Sequence, residues 1–195
     1  MSKKPFQSIL ESEASKIYSK HRSDIVDILL FGSAARGKEK PNDIDILIIF
    51  IDRIDYTIAQ ELKNSVGSLT KINVEVTPKN YASLFDENFP ARESILTEGY
   101  SLINKIGIAH GLGFEPYAIF VYSLKEKTKS QRMMFYYALH GRTTEGMLAK
   151  LNAKRFTDTA IICPVGSQEE MASFFTSHKI EFKEWPVIVP ARLTS

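Results

Sequence analysis

FGSAARGKEKPNDIDILIIF, residues Phe31 to Phe50, joins a glycine-serine turn, a basic stretch and two aspartates that enter an apolar run. Side chains i and i+2 of a strand point the same way. Asp43 and Asp45 therefore project from one face, about 7 Å apart along the backbone. Two carboxylates that close repel each other unless a cation sits between them, and hard divalent cations take carboxylates together with phosphates as ligands. Upstream, a strand ending at Gly32-Ser33 and turning into AARG exposes backbone N–H groups at a helix start, where anions bind. Gly32 lets phosphate oxygens approach the backbone, and the Ser33 hydroxyl adds a hydrogen bond. Arg36 and Lys38 are placed to offset triphosphate charge.

Outward from this stretch the chain alternates periods. Ser8 to His21 reads as an amphipathic helix. DIVDILLFG and DIDILIIFI read as strands. The segment from Tyr56 reads as a helix that stops at Gly67. KINVEVT alternates with a period of two, with Ile72, Val74 and Val76 on one face and Asn73 and Glu75 on the other. Glu75 can thus bring a third carboxylate from a neighbouring strand, and three carboxylates can hold two metals about 3.5–4 Å apart. ARESILTEGYSLI reads as a short helix with a strand-like tail. Residues 107–116, with Gly107, Gly111, Gly113 and Pro116, are rich in breakers and read as a linker. The expected domains are therefore 1–106 and 117–195.

Beyond the linker the pattern restarts as a compact βαβαβ unit. PYAIFVYSL, DTAIICPV and IEFKEWPVIV read as strands, and KSQRMMFYYALHG and SQEEMASFFTSHK as helices. Ser167 with Glu170 fits a capping box on the second helix.

The chain has 195 residues and 44% hydrophobic content, enough for a core in each part. Its formal net charge of +2 implies no partner, but the distribution is uneven. Ser123 to Arg155 holds eight Lys and Arg against two Glu, a net +6, which leaves −4 for the rest. With Phe135, Tyr136 and Tyr137 nearby, this basic segment suits a phosphate backbone and stacked bases. The other reading makes Met133, Phe135, Tyr136 and Leu139 the core stripe of a helix with one solvated face. The single cysteine, Cys163, excludes an intrachain disulfide and reads as a buried, unreactive thiol. His21, His110, His140 and His178 share no metal-ligand spacing. No apolar run reaches the length of a membrane span or a signal peptide, so a soluble, cytoplasmic protein is expected.

GSAARG, a short spacer and NDIDILI together resemble the signature of the DNA polymerase β-like nucleotidyltransferase superfamily. They are most similar to its minimal nucleotidyltransferase branch, written GSxARGx…(S/N)DxDL. The resemblance covers about residues 8–104, and ILTEGYSLI is similar to that branch's closing helix and strand. It implies an α+β fold with a mixed sheet flanked by helices, an NTP donor and two Mg²⁺ ions, with Mn²⁺ as a substitute. By position it implies that Gly32 and Ser33 hold the triphosphate and that Asp43 and Asp45 hold the metals. Where the family usually has Asp as the third carboxylate, this chain has Glu75, one methylene longer. The expected reaction moves an NMP from an NTP to an acceptor hydroxyl, on a nucleic acid or a protein side chain, and releases pyrophosphate. The rival is a non-enzymatic scaffold that binds nucleic acid or acts as an antitoxin-like partner. Oligomeric state is not readable from the sequence.

Overall fold

The computed structural model describes residues 5–36 and 41–193. It divides into two compact units, Met1–Gly113 and Phe114–Ser195.

The first unit contains α1 (Pro5–Lys20), β1 (Ile25–Phe31), α2 (Gly32–Ala35), β2 (Asp43–Phe50), α3 (Tyr56–Thr70), β3 (Asn73–Asn80), α4 (Arg92–Glu98), β4 (Tyr100–Ser101), β5 (Ile106–Gly107) and α5 (Ile108–Gly111). Its sheet runs β3-β2-β1-β4-β5. β2 pairs antiparallel with β1 and parallel with β3, the latter through the α3 crossover, so the sheet is mixed.

Burial explains why β2 is so apolar. Ile44, Ile46, Ile48 and Phe50 pack with Leu10, Ala14, Leu62 and Val66 on the face covered by α1 and α3. Leu47 and Ile49 pack with Leu29 and Ile95 on the opposite face, beneath α4. A strand covered on both faces reads as a continuous hydrophobic run. Asp43 and Asp45 belong to the Leu47 and Ile49 face, at the strand's entrance.

The helix expected to stop at Gly67 runs one turn further. Gly67 is an interior residue, and the left-handed cap is Lys71, with φ 58°. Asp55 caps its start by accepting from the Thr57 N–H. Residues 107–116, expected as a linker, carry the end of β5, all of α5 and the first residues of β6. Gly107, Gly111 and Pro116 lie in β5, α5 and β6, and Gly113, in the turn before β6, adopts φ +81°.

The second unit contains β6 (Phe114–Ser123), α6 (Lys129–His140), α7 (Met147–Lys150), β7 (Lys154–Thr157), β8 (Ala160–Pro164), α8 (Gln168–Ser177) and β9 (Glu181–Pro190). The sheet order is β7-β8-β6-β9, and every pairing is antiparallel. The expected βαβαβ order is present with one strand more. β7 forms a bulged hairpin with β8, and its four residues are all exposed, so no hydrophobic pattern announces it. β8 and β9 run in the same direction on either side of β6, a split βαβ arrangement.

Ala118, Phe120, Phe135, Leu139, Met171, Phe174 and Phe175 form the core of this unit. Cys163 is fully buried there, and burial pushes its thiol up to about 12, as the inert reading requires. The capping box lies on α6, where the Thr128 hydroxyl accepts from Gln131 N–H and the Gln131 side chain accepts from Thr128 N–H. Ser167 precedes α8 without a side-chain cap, because the helical turn Val165–Ser167 leads directly into it. No helix among the described residues is long and apolar enough to cross a membrane.

Candidate active site

Three strand ends meet at the mouth of β2. In the parallel ladder, Asp45 stands directly opposite Glu75, and Asp43 opposite Asn73. Paired residues share a face, so Asp43, Asp45 and Glu75 lie on one side of the sheet. On the other flank Asp45 pairs with Phe31, the last residue of β1, and Gly32 follows at once.

Gly32 is required there twice over. Its φ is +70°, and a Cβ on it would lie 2.5 Å from Asp45 Oδ2. The turn therefore presses backbone against the carboxylate, and only the residue without a side chain permits it. Ser33 is the second residue of the single helical turn of α2, which packs Ala34 into the core.

The electrostatics follow from this crowding. The Asp45 carboxyl is pushed above its usual range, first by burial, then by the charges of Asp43 and Glu75, with Arg36 pulling the other way. Arg36 Nη1 donates to Glu98 Oε2 at 2.7 Å, and the Glu98 side chain is only 7% exposed. Arg36 thus ties α2 to the end of α4 while its charge reaches Asp45. Glu98 is the residue that sequence reasoning missed. Its only signal was its place in ILTEGYSLI, which says nothing about a partner 62 residues away.

Gly32, Ser33, Arg36, Asp43, Asp45 and Glu75 are thus gathered around one sheet end. Lys38 lies outside the described residues. Among the described residues no three His, Cys, Asp or Glu side chains form a ready-made metal-binding group. The donor chemistry nevertheless fits a hard cation. It is all carboxylate oxygen, and burial together with the charges of Asp43 and Glu75 raises the cost of ionising Asp45, which a cation would offset. Two of the histidines belong to the second unit: His178 Nδ1 sits 2.9 Å from Phe174 O at the end of α8, and His140 is the last residue of α6.

Comparison with known proteins bears on the family of the first unit. The family model described as polymerase beta, nucleotidyltransferase, matches residues 13–105. Two relatives from Methanocaldococcus jannaschii, MJ1215 and MJ0126, carry names that provisionally assign protein adenylyltransferase activity. Each is 34% identical to this chain over 76 residues, 35% of this chain, which covers 88% and 78% of the relatives respectively. Among solved structures, a toxin-antitoxin with AMP-PNP has TM-score 0.37 and 25% identity, over 47% of this chain and 71% of that one. A tri-AMPylated HEPN toxin with MNT antitoxin from Shewanella oneidensis gives 0.35 and 23%, over 49% and 71%. Superpositions this loose carry no argument about function. The sequence relationship does: through its first unit, this chain belongs to the polymerase beta family of nucleotidyltransferases.

Proposed function

We propose that the first unit transfers AMP from ATP to an acceptor hydroxyl and releases pyrophosphate, in a reaction that depends on a divalent cation. The observation that supports this most is the register of Asp45 with Glu75, with Gly32 pressed against Asp45 and Asp43 two residues away. Asp43 and Asp45 would hold the cation, Mg²⁺ or Mn²⁺, and Glu75 would complete the set on the side of the attacking hydroxyl. Held by those carboxylates, such a cation would supply charge neutralisation for the phosphates and would favour ionisation of the attacking hydroxyl. Glu75 is exposed and on the same face, so its carboxylate can accept the acceptor's proton. Gly32 and Ser33 would position the donor phosphates. Arg36 acts through its charge, held in place by Glu98. Such chemistry is mostly positioning and electrostatics, so a few fixed charges suffice.

The names of the relatives favour a protein hydroxyl as acceptor, and adenylate as the transferred group. A nucleic-acid acceptor is the second reading, favoured by the basic segment between Ser123 and Arg155. The test is calorimetric titration of ATP, CTP, GTP and UTP with Mg²⁺, with EDTA, and against Asp43→Ala/Asp45→Ala. Metal-dependent ATP binding that disappears in the double variant supports the proposal. Failure of every triphosphate to bind rejects it.

A further inference from the structure

One helix face in the second unit departs from simple core packing. Phe135 and Leu139 of α6 are buried, as the core-stripe reading requires, but Met133 is 45% exposed and Tyr136 49%. Lys129, Arg132, Met133, Tyr136 and His140 are spaced i, i+3, i+4, i+7 and i+11, which places them in one stripe along the helix. That stripe forms one wall of a cavity of about 390 Å³. Tyr122 and Leu139 lie at its floor, and Arg155 and Asp158 of the β7–β8 hairpin face the stripe. This size lies at the small-molecule end of known sites, roughly 300–1,000 Å³.

The two ends of the stripe differ in chemistry. Lys129 and Arg132 occupy the first turn of α6. The Arg132 guanidinium is fixed by donating to Lys125 O at 3.0 Å and Lys127 O at 2.9 Å, and Lys129 makes no ion pair among the described residues. Arg155 is held by Asp158, whose carbonyl accepts from the Tyr122 hydroxyl at 3.2 Å. Lys129 and Arg132 thus make the cationic end, while Arg155, paired with Asp158, acts on His140. At the other end the Tyr136 ring lies over His140, with centroids 4.3 Å apart and planes 33° apart. Burial, and then the charge of Arg155, hold that imidazole below its usual pKa, so at neutral pH the far end is an uncharged aromatic platform. An apolar, aromatic end joined to a cationic end is complementary to a base carrying a phosphate.

We propose that this cavity binds a single nucleotide unit, its base on Met133 and Tyr136 and its phosphate on Lys129 and Arg132. The unit is either a free nucleoside monophosphate or one residue of a single-stranded nucleic acid. The site is separate from the carboxylate site in the first unit and needs no divalent cation.

The experiment titrates AMP, adenosine, and a five-residue oligoadenylate into the full chain. It is run in EDTA and in the Asp43→Ala/Asp45→Ala background, so that failure of the proposed transfer activity does not touch it. AMP should bind, and Lys129→Ala and Tyr136→Ala should each weaken it by about tenfold, the scale of one charge-assisted contact or one stacked base. Lys150→Ala, a cation of the same segment outside the cavity, should leave binding unchanged. Adenosine should bind more weakly than AMP, since it lacks the phosphate. Both substituted residues are exposed, so the variants should fold, which circular dichroism would check. Oligoadenylate binding much tighter than AMP, with the same loss in the variants, identifies a strand as the source. Equal affinities identify the free nucleotide. Binding of neither probe, or binding that ignores Lys129→Ala and Tyr136→Ala, overturns the proposal.

Discussion

The two units carry polar chemistry in opposite ways. In the first, β2 is buried on both faces from Ile46 to Phe50, so nothing polar can be placed along its length. Its carboxylates are compressed into the entrance, where Glu75 stands in register with Asp45, Asp43 lies two residues away and Gly32 approaches the Asp45 carboxylate. In the second, α6 buries only one stripe, and Lys129, Arg132, Met133 and Tyr136 are spread over two turns of the other. A doubly covered strand makes a point site in which each atom counts. A half-covered helix makes an extended one, with losses that come in steps.

The sharpest test of that separation is structural. Phe175 is fully buried in the second unit, with ring centroids 5.6 Å from Phe120 and 5.2 Å from Phe182. Phe175→Ala should cost about 3–5 kcal/mol. The only tryptophan, Trp185, lies on β9 and reports the unfolding of that unit by fluorescence. Metal-dependent ATP binding should survive under native conditions. If it falls together with the Trp185 transition, the two regions are one cooperative system and the contrast fails.

Next in size is the point site itself. Asp45→Asn keeps shape and removes charge, and should lower nucleotide transfer by about a hundredfold or more. A rate near that of the unsubstituted protein would show that the carboxylate array is scaffold. Gly32→Ala follows. The left-handed backbone and the approach to Asp45 should together cost about 1–3 kcal/mol of stability, read from denaturant midpoints. An unchanged midpoint would mean that the turn relaxes freely.

The smallest effect has the opposite sign. The folded-state pKa of Asp45 is raised, so its ionised form costs stability at neutral pH, and protonation relieves that cost. In EDTA, Asp45→Asn should therefore melt at a higher temperature than the unsubstituted protein at pH 7. The advantage should close as pH falls through the raised pKa of Asp45 and below its ordinary value of 3.8. An advantage that persists at low pH would trace to packing rather than charge. One substitution that stabilises the fold while abolishing turnover would mark a group retained for chemistry.

Much of this was legible in the residues. The period-two and helical patterns located α1, β1, β2, α3, β3, β6, α6, β8, α8 and β9, because each buries one face or both and burial dictates the pattern. The glycine-serine turn and the Asp-x-Asp marked the candidate site, since residues two apart on a strand share a face. Where burial was silent, the reading lapsed. β7 has no buried residue, and its strand exists only because β8 offers an edge to pair with. α3 passed through Gly67 because the packing of Val66 outweighed a glycine's modest cost.

The sequence by itself determined the kinds of residue at the site and the order of the elements that bear them. Spacing within one strand or one turn is fixed by local geometry. Only the tertiary structure decided that Glu75 stands in register with Asp45, that Gly32 touches its carboxylate, that Glu98 holds Arg36, and that Arg155 faces the stripe of α6. Those relations join residues distant in the chain. They are set by which strands pair and which faces are covered, and no local pattern encodes that choice.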